Sequence, residues 1–187
     1  MSTTTKSSQE RPSVSEAARA YIKKGCAPIP IPPREKAPRT KNWPELRLSE
    51  SEITASFREE DNIGLLLGAP SGNLIDVEGD VPEARAAFPV FLPPTESVHG
   101  RQGSPGSHCW YRTDEAPDSE RFTDPDGTCL VELRSTGEQT LVPPSVHPSG
   151  ELLRWEKWGI PAKVNKDDLC QAVAKVAACA LLARHWP

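Results

Sequence analysis

Two carboxylates lie one residue apart inside the apolar segment LIDVEGD, residues 74–80. In a β-strand, Asp76 and Glu78 would leave the sheet on the same face, because successive side chains alternate between faces. Two carboxylates this close repel each other unless a positive group lies between them. Mg²⁺ or Mn²⁺ prefers oxygen ligands and would neutralise the pair. The spacing therefore allows a metal site, although a pair of acids simply exposed to water has the same pattern.

The segment CLVELR, residues 129–134, repeats this alternation. Val131 and Leu133 share one face of the predicted strand, and Glu132 and Arg134 share the other. If this strand lies beside the first, Glu132 adds a third carboxylate to the same site. Three acidic ligands on neighbouring strands can hold two metal ions about 3.5–4 Å apart, an arrangement that serves phosphoryl transfer. The alternative is an exposed strand in which Glu132 pairs with Arg134.

Between the two acidic strands, the segment GRQGSPGSHCWY covers residues 100–111. Arg101 lies in its glycine- and serine-rich part, where a guanidinium and backbone N–H groups can bind phosphate oxygens. His108 opens the next strand. A single histidine is more often structural than functional, but this position makes His108 a candidate contact for a triphosphate.

Two further segments contribute weaker candidates. The net charge of −4 argues against nucleic-acid binding by bulk electrostatics alone, but it leaves room for a local basic track. PREKAPRTKNW, residues 33–43, is such a track, and we predict that Lys36 borders a nucleotide pocket. In the turn-rich segment 141–155, Ser145 and His147 either shape the edge of that pocket or merely end a strand.

The composition indicates one cytoplasmic globular domain. The polar start of the chain lacks the apolar segment of a secretory signal, and no stretch has the length of a membrane-spanning helix. The five cysteines form no CxxC pair, which favours free thiols in a reducing compartment. We expect residues 1–12 to be a disordered tail and residues 13–187 to form the domain.

Periodicity and capping residues predict the helices that must position these side chains. Apolar residues at helical spacing predict a helix over 13–24, and Ser49 with Glu52 forms a capping-box pattern for a second helix. A short helix is expected over 82–88. Asn165 is expected to cap a final amphipathic helix.

The strands are predicted from short apolar runs between turn signals. NIGLLLG and NLIDVEG, separated by the turn signal APSG, are expected to form a hairpin. The proline-rich segment 27–33 is an edge strand or an extended connector. Further strands are expected at 107–112, 129–134, 139–144 and 152–155. The prediction is an α+β domain with a mostly antiparallel sheet between flanking helices.

Taken together, these segments resemble the N-terminal prim-pol domain of bifunctional DNA primase/polymerases, a branch of the archaeo-eukaryotic primase superfamily. The resemblance covers residues 13–186. Three stretches carry it, in the order found in the family: NIGLLLGAPSGNLIDVEGD, GRQGSPGSHCWYR and VELRSTGEQTLVPPSVHPSGELLRW. The closing LLARHWP also looks like the junction after which many such proteins continue into a helicase-type region.

The resemblance implies an RRM-like catalytic sheet joined to a small N-terminal α/β element, and it implies roles for individual residues. Asp76, Glu78 and Glu132 would bind two catalytic Mg²⁺ or Mn²⁺ ions. His108 would contact the phosphates of the incoming nucleotide, helped by Arg101, Ser104 and Ser107. The sequence departs from the family at Glu78, where many relatives have aspartate, and at Gly106, which replaces a serine two residues before the histidine.

The implied function is DNA-templated primer synthesis and extension from NTPs or dNTPs, with a single-stranded DNA template. The chain would be part of a longer protein or would act with a helicase-type region, and its gene could belong to a plasmid, a phage or a cell. Two alternatives remain open at this point. One is a catalytically silent module for single-strand binding or replication initiation; the other is a metal-dependent nuclease.

Overall fold

Two β-sheets and four α-helices make up the part of the protein that the computed structural model describes, residues 12–186. The helices are α1 (Val14–Lys23), α2 (Ile53–Ser56), α3 (Pro82–Phe91) and α4 (Lys166–His185). The strands are β1 (Ala27–Ile31), β2 (Asn62–Leu66), β3 (Leu74–Gly79), β4 (Ser97–Arg101), β5 (Ser104–Thr113), β6 (Glu120–Thr123), β7 (Cys129–Arg134), β8 (Gln139–Val142), β9 (Arg154–Trp158) and β10 (Ala162–Val164). The predicted tail lies outside the described residues except for Pro12.

The strand order explains how distant segments meet. The large sheet has the order β6-β7-β3-β5-β4-β9, with β10 pairing with β5, and the small sheet has the order β1-β2-β8. Only the β10–β5 pair is parallel among the strand pairs of residues 12–186. The predicted α+β class with mostly antiparallel sheets is confirmed.

The period-two pattern of β3 divides the large sheet into two different faces. Ile75 and Val77 are fully buried in the main core, where they pack with α3 and α4. On the opposite face, Leu74 and Trp110 pack with α1 and with residues of the small sheet. The large sheet is therefore covered by helices on one face and partly by the N-terminal element on the other.

The ends of the helices follow their capping residues. In α1, Ser13 and Glu16 form both hydrogen bonds of a capping box. In α4, the Asn165 side chain accepts hydrogen bonds from the backbone N–H groups of Asp167 and Asp168, as the sequence predicts. No helix within residues 12–186 has both the length and the apolar character required to cross a bilayer.

The predicted hairpin between β2 and β3 is wrong. β2 pairs with β1 and β8 in the small sheet, whereas β3 pairs with β5 and β7 in the large one. The chain leaves one sheet for the other through a 3-10 turn over Ala69–Ser71, flanked by Gly68 and Asn73 with positive φ. The turn signal was identified correctly, but a turn does not determine which strands pair across it.

The second helix begins later than predicted. Glu52 accepts a hydrogen bond from the Ser49 backbone at 2.9 Å, which is one half of a capping box. The Ser49 hydroxyl donates to the same carboxylate at 2.6 Å and caps no N–H group, so the helix starts at Ile53 and lasts one turn. The strands β4, β6 and β10 were not predicted.

Candidate active site

One row of side chains crosses the large sheet on the face away from α3 and α4. Neighbouring strands bring its members together at consecutive register positions. From β7 to β9 the row consists of Glu132, Glu78, His108, His99 and Trp155. β7 lies beside β3, which is the condition on which a third carboxylate at this site depends.

Glu78 and His108 of this row form a group of potential metal ligands with Asp76, which lies on the same face of β3. His108 Nδ1 lies 2.9 Å from Asp76 Oδ2, and His108 Nε2 lies 3.7 Å from Glu78 Oε1. One ligand atom from each residue lies within 4.8 Å of the other two. Asp76 is fully buried, yet its Oδ1 has no hydrogen-bond partner among residues 12–186. Since buried polar atoms are normally paired, this free oxygen and the carboxylates around it fit a divalent cation.

The charges of Asp76, Glu78 and His108 stabilise one another. Burial disfavours the charged form of Asp76, but the positive charge and hydrogen bond of His108 outweigh it and lower the pKa of the carboxyl. Burial also disfavours the charged form of Glu78, but the positive charges of His108 and Arg134 outweigh it and lower the pKa of this carboxyl. Burial opposes protonation of His108, but Asp76 and Glu78 raise its pKa. The two acids are therefore held ionised, as metal ligands must be.

Glu132 lies on the strand next to Glu78, but arginines hold its carboxylate. Arg121 Nε lies 3.1 Å from Glu132 Oε1, and Arg134 Nε lies 3.8 Å from Glu132 Oε2. Arg134 also places NH1 2.7 Å from Glu78 Oε2, so its guanidinium lies between the two glutamates. The sequence alone gave Arg134 only the role of a partner for Glu132, whereas the structure brings it into the centre of the acidic row.

A second group of potential ligands lies farther along the same strands. Asp80, Cys129 and Glu132 each bring one ligand atom within 4.8 Å of the others. Burial raises the pKa of Asp80 and of Glu132, and it outweighs the contacts that would lower these values. The carboxyl groups of Asp80 and Glu132 are therefore protonated more easily than those of Asp76 and Glu78.

A cleft between the two sheets exposes the group that contains Glu78 and His108. The enclosed part of the cleft has a volume of about 110 Å³. Most of the predicted nucleotide-binding residues line it, from loops and strands far apart in the chain: Lys36, Arg101, Ser104, Ser107, His108 and His147.

The turn between β4 and β5 is held in place at the rim of this cleft. Arg101 forms an ion pair of 2.5 Å with Glu151, and the backbone N–H of Gly103 donates to the same carboxylate at 2.6 Å. The Arg101 guanidinium and the backbone N–H of this turn were both expected to bind phosphate oxygens, and they share the Glu151 carboxylate as their partner. The sequence did not indicate this contact. Across the cleft, the carbonyl of Lys36 accepts a hydrogen bond of 2.6 Å from the Gln139 side chain.

The remaining predicted residues have different surroundings. The Ser145 hydroxyl is buried and bonds to the backbone of Ile63, accepting from its N–H at 2.8 Å and donating to its carbonyl at 3.3 Å. This contact ties the segment after β8 to β2, and Ser145 is not among the residues that line the cleft. His147 lines the cleft, and its Nδ1 lies 2.8 Å from the Ser149 hydroxyl.

His99 is a residue of the row that sequence reasoning missed. It is fully buried on β4, and its ring stacks on that of His108 with 4.4 Å between centroids and 6° between planes. Neither ring nitrogen has a hydrogen-bond partner within the described range, and burial lowers its pKa well below the usual value. Alternation within SVHGR was the one available signal, and it is too short to predict a strand.

Comparison with known proteins identifies the family. A search of curated proteins finds no significant match for the chain. A sequence model of the family described as bifunctional DNA primase/polymerase, N-terminal, matches residues 18–167, well over half of the chain. This match includes every site residue predicted from the sequence, and it confirms the resemblance. The chain belongs to the family of bifunctional DNA primase/polymerase N-terminal domains.

Proposed function

We propose that the protein is a DNA-templated primase/polymerase that joins nucleotides by two-metal nucleotidyl transfer, with release of pyrophosphate. Asp76, Glu78 and Glu132 would hold Mg²⁺ or Mn²⁺. When bound, such ions lower the pKa of the attacking hydroxyl and neutralise charge on the triphosphate. The observation that carries the proposal is the Asp76–His108–Glu78 group, in which Asp76 is buried and Glu78 and His108 line a cleft that also carries basic and serine side chains.

The residues of the chain itself would bind and orient the substrate. Arg101, Lys36 and His108 supply positive groups on different sides of the cleft, which suits a triphosphate. His108 is held by Asp76, so its ring is fixed in orientation. Positioning and charge neutralisation of this kind require no covalent intermediate with the protein.

An arginine at position 134 favours polymerase activity over nuclease activity. Nuclease strands of the E-x-K type use a lysine that can lose its proton, whereas the guanidinium of an arginine stays charged. Arg134 is clamped by Glu78 and by Glu138, and this acidic environment raises the pKa of its guanidinium further, although burial alone would lower it. The position is thus suited to binding negative charge and unsuited to proton abstraction.

The test is a primer–template assay with Mg²⁺ or Mn²⁺ and each nucleotide in turn, in both ribo and deoxy forms. We expect metal-dependent extension by the nucleotide that complements the template base, and no extension by Asp76→Ala. Shortening of the primer without nucleotides would show a nuclease instead. Metal-independent binding of the template without any incorporation, by the protein alone and with a helicase-type partner, would show a silent binding module.

A further inference from the structure

A second groove opens beside the cleft, between β9 and α1. Its walls are mainly aromatic and apolar, and they include Tyr21, Leu152, Trp155 and Trp158. Leu153 lines both this groove and the cleft, so the two depressions adjoin. None of the residues predicted to bind metal or nucleotide lies in the groove.

The aromatic side chains form a continuous path from the acidic row to the surface. Trp155 meets His99 edge-on, with 5.0 Å between ring centroids, and His99 in turn stacks on His108. Trp158 lies 4.5 Å from Trp155 between centroids, and 44% of it is exposed. An exposed tryptophan at the end of such a path is unusual for a side chain that serves only the core, and it offers a surface on which a base can stack.

The charges around Trp158 favour an anionic partner. Lys24 Nζ lies 3.9 Å from the centroid of the Trp158 ring, and Arg154 is exposed on the wall of the groove. Neither of these two cations forms an ion pair with any residue in the range 12–186.

Two acids of this region form hydrogen bonds within the protein. Glu16, which also lines the groove, accepts a hydrogen bond of 3.0 Å from the backbone of Ser13 in the capping box of α1. Glu156 on β9 accepts one from the backbone of Gly106. Arg154 is therefore the cation that remains available for a phosphate, whereas the Lys24 ammonium also donates to the carbonyl of Gly159 at 3.0 Å.

We infer that this groove binds the single-stranded template, with a base stacked on Trp158 and the backbone phosphates close to Arg154 and Lys24. The inference rests on the proposed function, which requires a template strand next to the cleft. Three strand spacings, in total about 14 Å, separate Glu78 on β3 from Trp155 on β9. A few nucleotides of extended strand cover that distance, so one strand can reach from the groove to the cleft.

The test measures binding of a fluorescein-labelled oligothymidine by fluorescence anisotropy, without metal or nucleotide. Trp158→Ala should weaken binding about ten- to a hundredfold, the loss typical of one stacked base. Arg154→Gln should weaken it less and reduce the slope of log affinity against log salt by about 0.7, the value for one phosphate contact on a single strand. Because Arg154 is exposed, its replacement keeps the test independent of packing around Trp158.

Matched control variants are available on α4, which packs on the opposite face of the large sheet, and on the residue that follows it. Trp186→Ala removes a tryptophan that is 75% exposed, and Lys175→Gln removes an exposed cation. Both controls should bind the oligonucleotide as the wild-type protein does. Equal losses in the controls would mean that binding is not localised to the groove and would overturn the inference.

Other outcomes separate this inference from the proposed function. Wild-type affinity in both groove variants, together with primer extension by the wild-type protein, would overturn the groove and leave the polymerase function standing. Loss of affinity in the groove variants, without any incorporation by the wild-type protein, would support the groove and overturn the function. A change of oligomeric state in Trp158→Ala with unchanged affinity would assign the surface to a second copy of the chain and overturn the inference.

Discussion

Two aspartates of this domain are buried to nearly the same extent but are surrounded very differently. Asp76 is 0% exposed and Asp124 is 2% exposed, and each lies within hydrogen-bond distance of a histidine. Asp124 uses both oxygens: Oδ1 lies 2.8 Å from His185 Nε2, and Oδ2 accepts from Arg184 Nε at 2.6 Å. Asp76 uses only Oδ2.

The difference separates a structural carboxylate from a functional one. Asp124 binds the last turn of α4 to the turn after β6, and its hydrogen-bonding capacity is used within the protein. Asp76 retains a buried oxygen without a partner in the described part of the chain, an arrangement that costs stability unless a ligand completes it. The same residue type therefore supports the fold at one position and is available for chemistry at the other.

The largest effect is expected from Asp76→Asn. The substitution keeps the shape of the side chain but removes the charge, so nucleotide incorporation should fall by about a thousandfold or more. The variant should remain folded at the assay temperature, although its melting temperature should fall because His108 loses its charged hydrogen-bond partner. Single-turnover incorporation and thermal unfolding measure the two effects. A large loss of stability with retained activity would assign Asp76 to the structural class.

A smaller loss is expected from Glu132→Gln, because Glu132 is bridged to Glu78 by Arg134 and is less buried than Asp76. Incorporation should fall about ten- to a hundredfold. Glu138→Gln is the matched control, since Glu138 also pairs with Arg134 but belongs to neither group of potential metal ligands. The control should retain activity within about threefold of wild type. Equal losses in the two variants would mean that Glu132 acts only through Arg134.

Asp124→Asn should affect stability and leave the chemistry unchanged. Loss of the charged hydrogen bonds to Arg184 and His185 should lower the melting temperature by a few degrees. Incorporation at 25 °C, where the variant remains folded, should stay within about twofold of the wild-type rate. A deep loss of activity in a fully folded variant would contradict the comparison of the two aspartates.

The smallest effect is a dependence of stability on pH. The hydrogen bond from Arg184 lowers the pKa of Asp124. A lowered pKa contributes stability above the unfolded value, about 3.9 for aspartate, and this contribution is lost as the pH falls through the folded value. The difference in melting temperature between the wild-type protein and Asp124→Asn should therefore shrink below about pH 4. A difference that grows in acid would contradict this sign.

The local pattern of the sequence was sufficient to place Asp76 and Glu78 on one face of a strand. Period-two alternation depends only on neighbouring residues, and the same reasoning placed Glu132 and Arg134 on the outer face of β7. The capping residues of α1 and α4 were predictable for the same reason. The family resemblance supplied the order of the motifs, and with it the expectation that these strands lie side by side.

Contacts between distant segments were not predictable. β2 and β3 lie in different sheets. The residues of either strand alone do not determine which other strand it pairs with. Stacking of His99 on His108 requires β4 to lie beside β5, and β4 itself was not predicted. Asp124 meets its partners across about 60 residues, so its sequence neighbours gave no indication of its role.

Binding of Mn²⁺, followed by electron paramagnetic resonance without nucleotide or DNA, tests the central claim most directly. The wild-type protein and Asp124→Asn should bind the ion with similar affinity, and Asp76→Asn should bind it at least about tenfold more weakly, because it loses a charged oxygen ligand. Equal affinity in Asp76→Asn and the wild-type protein would contradict the assignment of Asp76 to the metal site.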